Sequence, residues 1–281
     1  MTTFRKILLP FESLIYIIVF ILAILACNGI GIQSSAWDVA QTRIIAVGSV
    51  TAAVGVWGTV VLQHSFKIKI SGLVDILIGF DLFASIICGE CFLVYRTMAN
   101  YDKFLHAFGT AQLAIAGFAI AAFFLEGKNL KYQVVYSLVF AFFFAIAMEA
   151  IWELYEYTVD SLCGTDMQKY IPDQFVGCID SLTGEVTCSD EQILEFYKTQ
   201  AGMHYGVTDT MGDVIADILG AVGGMALCAL VFKFKPELQS GLIHKKDGTS
   251  STDTLEIPVV KSKDEYSFID DNNHHNNNEN A

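Results

Sequence analysis

Long apolar stretches, separated by shorter polar segments, recur along most of the chain. The hydrocarbon core of a bilayer is about 30 Å thick, so a helix needs about 20 apolar residues to cross it. Stretches of that length predict six membrane-spanning helices, at residues 10–32, 43–63, 72–95, 103–125, 131–160 and 207–234. The pattern therefore predicts an all-α, multi-pass membrane protein.

Two polar regions interrupt and follow the predicted helices. A long loop over 161–206 separates the fifth helix from the sixth, and in an oxidising compartment two of its three cysteines can form a disulfide. These cysteines are Cys163, Cys178 and Cys188. Residues 1–235 are expected to form one helical bundle. Residues 236–281 are polar and end in an Asn-rich run, so they are expected to be a disordered cytoplasmic tail.

Basic residues in the short loops predict the orientation of the bundle. Lys and Arg are more frequent on the cytoplasmic side of membrane proteins. Paired basic residues, Arg5 with Lys6 and Lys128 with Lys131, fall at one set of alternate helix ends. The pattern predicts that both termini are cytoplasmic and that the loop 161–206 is exoplasmic.

The composition supports a membrane location and excludes one class of partner. Of the 281 residues, 53% are hydrophobic and only 17% are charged, which is too apolar for an ordinary soluble domain. A net charge of −13 and the lack of a basic patch argue against nucleic-acid binding. The chain is expected to be an integral membrane protein, in the plasma or inner membrane if it is bacterial, and the pattern indicates no compartment for a eukaryotic protein. The expected partners are membrane lipid and a divalent cation, and no oligomeric state is indicated.

Acidic residues recur at helical spacing in three of the predicted helices. They form three stripes, together with one histidine: Asp102 and His106; Glu149, Glu153, Glu156 and Asp160; and Asp209, Asp213 and Asp217. The four acids of the fifth helix fall within a wedge of about 60°. The predicted orientation places all three stripes near the exoplasmic surface. Because an ionisable group in the bilayer centre costs about 2.5–3.5 kcal/mol, we expect the stripes to face one another.

Three kinds of compensation can stabilise such a cluster. The first is a divalent cation, Zn²⁺, Mg²⁺, Mn²⁺ or Ca²⁺, with a spare acid as general base. The candidate ligands are His106, Glu153, Glu156, Asp213, Asp102 and Asp217, and the candidate catalytic acids are Asp209 and Glu149. The second is a set of shared protons that serves transport. The third is structural, with solvated acids paired to Lys103 or Arg96.

The three stripes also carry a resemblance to a known family. The motifs are Asp102-Lys-Phe-Leu-His106, Glu153-Leu-Tyr-Glu156, and Asp209-Thr-Met-Gly-Asp213 followed by Asp217. Over about residues 70–232, their order and spacing resemble the YjdF-like bacterial inner-membrane proteins, which are related to the VanZ-like group. The resemblance implies a multi-pass fold and a single site, and it implies no particular reaction.

Three functions fit these patterns. The first is a metal-dependent hydrolase or transferase that acts on a lipid or lipid-linked head group at the exoplasmic surface. The second is a proton- or cation-coupled transporter, for which the deeper acids Asp81, Glu149 and Asp217 would be needed. No acidic stretch and no stretch broken by Pro or Gly is expected to lead to the cytoplasmic face, which counts against transport. The third is a non-enzymatic scaffold with a structural metal.

Overall fold

The computed structural model of the chain describes residues 3–30, 39–66, 68–125, 128–171, 191, 195, 198–199, 204–234 and 243–245. Cys178, Cys188 and most of the segment 236–281 lie outside the described residues. Among those described, six helices are long and apolar enough to cross a membrane. They are Arg5–Cys27, Gln41–Ser65, Gly72–Cys91, Tyr101–Phe124, Lys131–Cys163 and Tyr205–Lys233. The prediction of an all-α, multi-pass, integral membrane protein is confirmed.

Some spans consist of one helix and others of two helices in sequence. The helices are α1 (Thr3–Cys27), α2 (Val39–Gly55), α3 (Gly58–Phe66), α4 (Gly72–Leu82), α5 (Val94–Thr97), α6 (Tyr101–Phe124), α7 (Leu130–Cys163) and α8 (Tyr205–Phe234). A π-helix, Phe83–Cys91, continues α4 directly. Two short strands, β1 (Ile68–Ile70) and β2 (Ile243–Lys245), pair antiparallel. Since β2 lies within the segment expected to be a disordered tail, this part of that segment has a strand partner.

The second and third spans differ from the single regular helices that the sequence predicts. The second span breaks between α2 and α3, where the indole N–H of Trp57 donates to Ser13 Oγ of α1 over 2.8 Å. The third span changes from α- to π-helical hydrogen bonding, and the N–H of Phe92 donates to Ile87 O over 3.0 Å. Such π-helical turns occur frequently at functional sites.

Apolar packing holds the helices in two groups. In one group, Leu9 and Tyr16 of α1 pack against Val56 and the π-helix. In the other, Phe118 of α6 packs against α7 and against Phe232 of α8, where the two rings meet edge to face. The second group brings the three acidic stripes together.

A buried ion pair holds the helices together at the end opposite the acidic stripes. Arg5 of α1 pairs with Asp75 of α4, and both residues are almost fully buried. Arg5 also donates to Ile70 O over 2.9 Å, and the hydroxyl of Thr59 donates to Asp75. The pair therefore fixes α1, α3 and α4 beside β1. That this end is cytoplasmic stays a prediction.

Candidate metal centre

Close packing of α6 against α8 brings the first and third stripes together. A side chain at Gly220 would collide with the backbone carbonyl of Ala107, and one at Gly224 would lie 2.6 Å from Ala111 O. Small residues allow two helix backbones to approach this closely. The approach places Asp213 and Asp217 of α8 directly opposite α6.

His106 of α6 lies at the centre of the site and is only 8% exposed. Its Nδ1 is 3.2 Å from Asp217 Oδ1, which is hydrogen-bonding distance, and 4.0 Å from Glu149 Oε2. Its Nε2 is 3.6 Å from Asp213 Oδ1 and 4.0 Å from Asp102 Oδ1. The two ring nitrogens therefore face different pairs of carboxylates.

Thr110, one turn after His106, links the inner pair of carboxylates. Its hydroxyl lies 2.8 Å from Asp217 Oδ1 and 3.1 Å from Glu149 Oε1, and 2.6 Å from the backbone carbonyl of His106. A hydroxyl has one proton to donate. The two carboxylates and this carbonyl therefore compete for one hydroxyl proton, and both carboxylates are buried.

Lys103 compensates the outer acids. Its Nζ lies 2.7 Å from Asp209 Oδ1, 2.6 Å from Asp213 Oδ1 and 3.2 Å from Asp102 Oδ2. Asp209, a candidate general base, is therefore held in an ion pair. Lys103 lies one residue after Asp102 in the first motif, so its position was readable from the sequence.

Two overlapping groups of three residues could hold a metal ion. One group is Asp102, His106 and Asp213, and the other is His106, Glu149 and Asp217. In each group the donor atoms all lie within 4.8 Å of one another. Both groups contain His106, and each uses a different ring nitrogen.

Glu153 and Glu156, which the sequence also proposes as ligands, lie beside these groups but outside both of them. Both carboxylate oxygens of Glu153 are buried, and the side chain of Thr210 is close enough to interact with this carboxylate. Glu156 is 9% exposed, and no hydrogen bond of its carboxylate is found among the described residues. Each acid interacts electrostatically with Asp102 and His106.

Asp160, the fourth acid of the α7 stripe, has a different role. Its Oδ1 accepts from the hydroxyl of Thr165 over 2.6 Å and from the N–H of Met167 over 2.8 Å, and its Oδ2 accepts from the N–H of Gln168 over 3.0 Å. Asp160 thus holds the residues after α7 in place and does not join the site.

A cavity of about 290 Å³ opens beside His106, between α2, α4 with its π-helix, α6 and α7. Its polar lining includes Asp81, Glu90, Asp102, Glu149, Glu156 and Lys169. Much of the remaining wall is apolar, as at Leu82, Leu105 and Trp152. The cavity connects acids of the third span with the candidate metal groups on α6 and α7.

Lys169 is the residue of this cavity that the sequence analysis missed. It follows α7, and its Nζ lies 5.1 Å from the centre of the Tyr95 ring, in cation–π geometry. Burial lowers the pKa of Lys169, but the carboxylates around it, first Glu90 and Asp102, outweigh burial and hold that pKa above its ordinary value. The surrounding carboxylates therefore favour the charged form of Lys169. No spacing in the sequence indicates this contact.

Comparisons with known proteins identify the family. Neither the curated proteins nor the solved structures contain a match to the chain. A family model described as a predicted membrane protein (DUF2238) matches residues 13–234, which is most of the chain. The matched range begins within α1 and contains the other five spans. It also contains all the candidate ligands. The chain therefore belongs to this family of membrane proteins.

Proposed function

We propose that Nε2 of His106 helps to hold a divalent cation, and that the protein is a metal-dependent hydrolase or transferase. Its substrate would be a lipid or a lipid-linked head group. The observation that carries this proposal is the two-sided environment of the imidazole. Nδ1 is within hydrogen-bonding distance of Asp217, whereas Nε2 faces Asp213 and Asp102 at 3.6 and 4.0 Å.

The distances from Nε2 to the carboxylates of Asp213 and Asp102 fit a shared metal ion better than they fit direct hydrogen bonds. Two ligands that each lie about 2.1 Å from one cation are roughly 3–4 Å apart, which is the range found from Nε2 to Asp213 and from Nε2 to Asp102. The hydrogen bond from Nδ1–H to Asp217 would fix the tautomer and leave Nε2 free to coordinate. Carboxylate–histidine–metal triads of this kind are common in metal sites.

The donor set also narrows the ion and its chemistry. A site with one imidazole and two carboxylates suits Zn²⁺ or Mn²⁺. A site with oxygen donors only would suit these ions less well. Such an ion, when bound, polarises a phosphoryl or acyl oxygen or activates a water molecule. Of the two candidate bases, Glu149 lines the cavity whereas Asp209 is paired with Lys103, so Glu149 is the stronger candidate.

The cavity supports an amphiphilic substrate. Its walls combine apolar residues with the candidate ligands His106 and Asp102, and it lies within the membrane-spanning bundle. An acid-lined cavity alone would repel an anionic head group, but a bound cation together with Lys169 would attract one. The motif-based resemblance to YjdF-like and VanZ-like proteins supports a single site and adds no substrate.

Turnover by metal-loaded protein tests this proposal. Purified protein would be incubated with phospholipids and with polyprenyl phosphates, and released head groups would be measured with and without chelator. We expect turnover that is chelator-sensitive and lost in Asp213→Asn. Glu12→Gln, which removes a partly buried acid of α1 that lies outside both candidate metal groups, should remain active. Stoichiometric metal without turnover on either lipid class would contradict the enzymatic role.

Transport is the second candidate, because buried acids continue from the site towards the opposite end. A Cβ atom added at Gly109 of α6 would lie within 4 Å of carboxylate oxygens of both Asp81 and Glu149. Asp81 interacts electrostatically with Tyr16, and Tyr16 in turn interacts with Glu12. The sequence proposes Asp81 and Glu149 for transport, whereas the continuation through Tyr16 and Glu12 and the interrupted second and third spans were not expected.

Ion flux separates the two candidates. In liposomes, a transporter should carry protons or divalent cations down an imposed gradient, and Asp81→Asn should abolish the flux because it interrupts the series of acids. The enzyme proposal predicts no flux in either protein. A metal-loaded protein with neither flux nor turnover would favour the scaffold alternative.

A further inference from the structure

The wall of the cavity carries a buried hydrogen-bond donor and a buried acceptor that are both unpaired within the described part of the chain. Asp81 of α4 and Gln112 of α6 line the cavity. Asp81 Oδ1 and Gln112 Nε2 are buried, and neither atom makes a hydrogen bond to any described residue. Because a buried donor or acceptor is costly to leave unpaired, the two atoms are suited to a ligand group that bonds to both.

Gly109 places the two side chains at the same part of the wall. A Cβ atom added at Gly109 would lie 3.5 Å from Asp81 Oδ2, so the carboxylate of Asp81 lies against α6 at this residue. Gln112 follows Gly109 by one helical turn and shares its face of α6. Since Gln112 Nε2 makes no hydrogen bond to Asp81, one bridging group can pair with both side chains.

The chemistry of the two atoms restricts what this group can be. An amide nitrogen only donates, and an ionised carboxylate only accepts. The bridging group therefore has to accept from Gln112 and donate to Asp81, as a hydroxyl does. An ammonium group has no lone pair with which to accept, and an ionised phosphate oxygen has no proton to donate. Water meets the same requirement as a hydroxyl, so experiment has to separate the two.

The two side chains lie deeper in the bundle than the proposed metal. Gly109 and Gln112 follow His106 on α6, at rises of about 5 and 9 Å along the helix axis. The cavity volume of about 290 Å³ is at the small end of ligand pockets. Such a volume suits a lipid head group better than a whole lipid.

We propose that Asp81 and Gln112 bind a hydroxyl of the head group, so that the substrate is a phospholipid with a polyol head group, such as glycerol or a sugar. This inference rests on the proposed function and names the class of its substrate. The phosphate of the lipid would lie at the ion on His106, with the polyol directed towards Asp81 and Gln112. These two residues would determine specificity and take no part in the reaction itself.

Two phospholipids that differ in the hydroxyls of the head group are the probes. Phosphatidylglycerol and phosphatidylpropanol have the same phosphodiester charge and a three-carbon head group, but phosphatidylpropanol has no free hydroxyl. Short-chain forms of both would be titrated into Mn²⁺-loaded, full-length protein, and bound Mn²⁺ would be counted in the same samples. Wild type should bind phosphatidylglycerol about tenfold more tightly or better, because the other lipid leaves both buried atoms unpaired.

Gln112→Leu should bind the two lipids equally, since it removes the donor. Ser137→Ala is the matched control, because Ser137 Oγ is also buried and unpaired among the described residues but does not line the cavity. This control should keep the preference of the wild type. Should Gln112→Leu not fold, Gln112→Met provides the same comparison.

The other outcomes separate failure of this inference from failure of the proposed function. Equal affinities in Mn²⁺-loaded wild type would mean that only water lies between Asp81 and Gln112, and the metal centre would stand. A preference that persists in Gln112→Leu would place hydroxyl recognition elsewhere and overturn the inference. A preference in wild type that has no bound Mn²⁺ would support the hydroxyl site and overturn the metal centre. Tighter binding of glycerol 3-phosphate than of phosphatidylglycerol would overturn the lipid assignment, and binding of neither lipid would overturn both proposals.

Discussion

His106 is the residue on which both candidate ligand groups depend, because each ring nitrogen faces two carboxylates. A neutral imidazole has one donor and one acceptor nitrogen. The 3.2 Å contact with Asp217 favours Nδ1 as the donor, which leaves Nε2 to accept a cation. Asp217 is 2% exposed, so in the proposed site it would position His106 and would not contact substrate.

Asp217→Asn should weaken Mn²⁺ binding by about 10–100-fold, the usual loss when a carboxylate behind a metal-bound histidine is removed. Isothermal titration calorimetry of the purified protein measures this change. Asp209→Asn is the matched control on the same helix, and a smaller loss is expected because Asp209 is paired with Lys103. Equal affinities in wild type and Asp217→Asn would rule out the proposed orientation of His106.

At the scale of elements, the contact between α6 and α8 determines whether the stripes meet. Gly220 and Gly224 face the backbone of α6, whereas a Cβ on Gly223 would meet no atom within 4 Å. The three glycines lie within one and a half turns of the same helix. Their different surroundings allow helix propensity to be separated from close packing.

Gly220→Ala should lower the unfolding temperature in detergent and weaken metal binding, because the added methyl group collides with the Ala107 carbonyl. Overpacking of this kind typically costs about 1–3 kcal/mol. Gly223→Ala makes the same chemical change without a collision and should be neutral or slightly stabilising. If the two variants unfold at the same temperature, close approach of α6 and α8 is not what holds the site together.

The segment Gly164–Ile171 is a second element that the site depends on, since it carries Lys169 to the cavity. Asp166 holds it by accepting from the N–H groups of Tyr170, over 2.8 Å, and of Ile171. Burial raises the pKa of Asp166 to about 7, well above its value of about 3.9 in an unfolded chain. The folded protein therefore binds this proton more tightly than the unfolded chain does.

This difference in proton binding makes the free energy of unfolding depend on pH. Between about pH 4 and pH 7 the folded state holds the Asp166 proton that the unfolded state has lost, so this residue makes the free energy of unfolding fall as pH rises. Asp166→Asn should flatten that part of the curve, measured as unfolding temperature against pH. Glu191→Gln, at an exposed acid, should leave the curve unchanged. An identical slope in wild type and Asp166→Asn would show that Asp166 does not titrate in this range.

The membrane spans were predictable from the sequence because length and hydropathy alone determine whether a helix crosses a bilayer. The opposition of Asp102 and His106 to Asp213 and Asp217 was predictable too, since helical spacing fixes which residues share a face. The sequence did not predict the π-helix, the break at Trp57 or the position of Lys169. Each depends on contacts between distant segments, such as Trp57 with Ser13 and Lys169 with Tyr95.

At the scale of the whole molecule, the two ends of the bundle compensate buried charge differently. At one end, Arg5 and Asp75 form a buried pair within α1 and α4. At the other end, acids of α6, α7 and α8 outnumber the lysines that contact them. Because it is costly to take charged groups out of water into the protein, this excess of acids supports the proposed cation.

Elemental mass spectrometry of protein purified without chelator tests most directly whether His106 holds a divalent metal. Wild type, His106→Ala and the control Glu12→Gln would be compared after a folding check by size-exclusion chromatography. The proposed site predicts metal bound near stoichiometrically in wild type and Glu12→Gln, with loss of at least one ion per chain in His106→Ala. Folded wild type that carries no divalent metal, even after loading with Zn²⁺ or Mn²⁺, would contradict the metal centre.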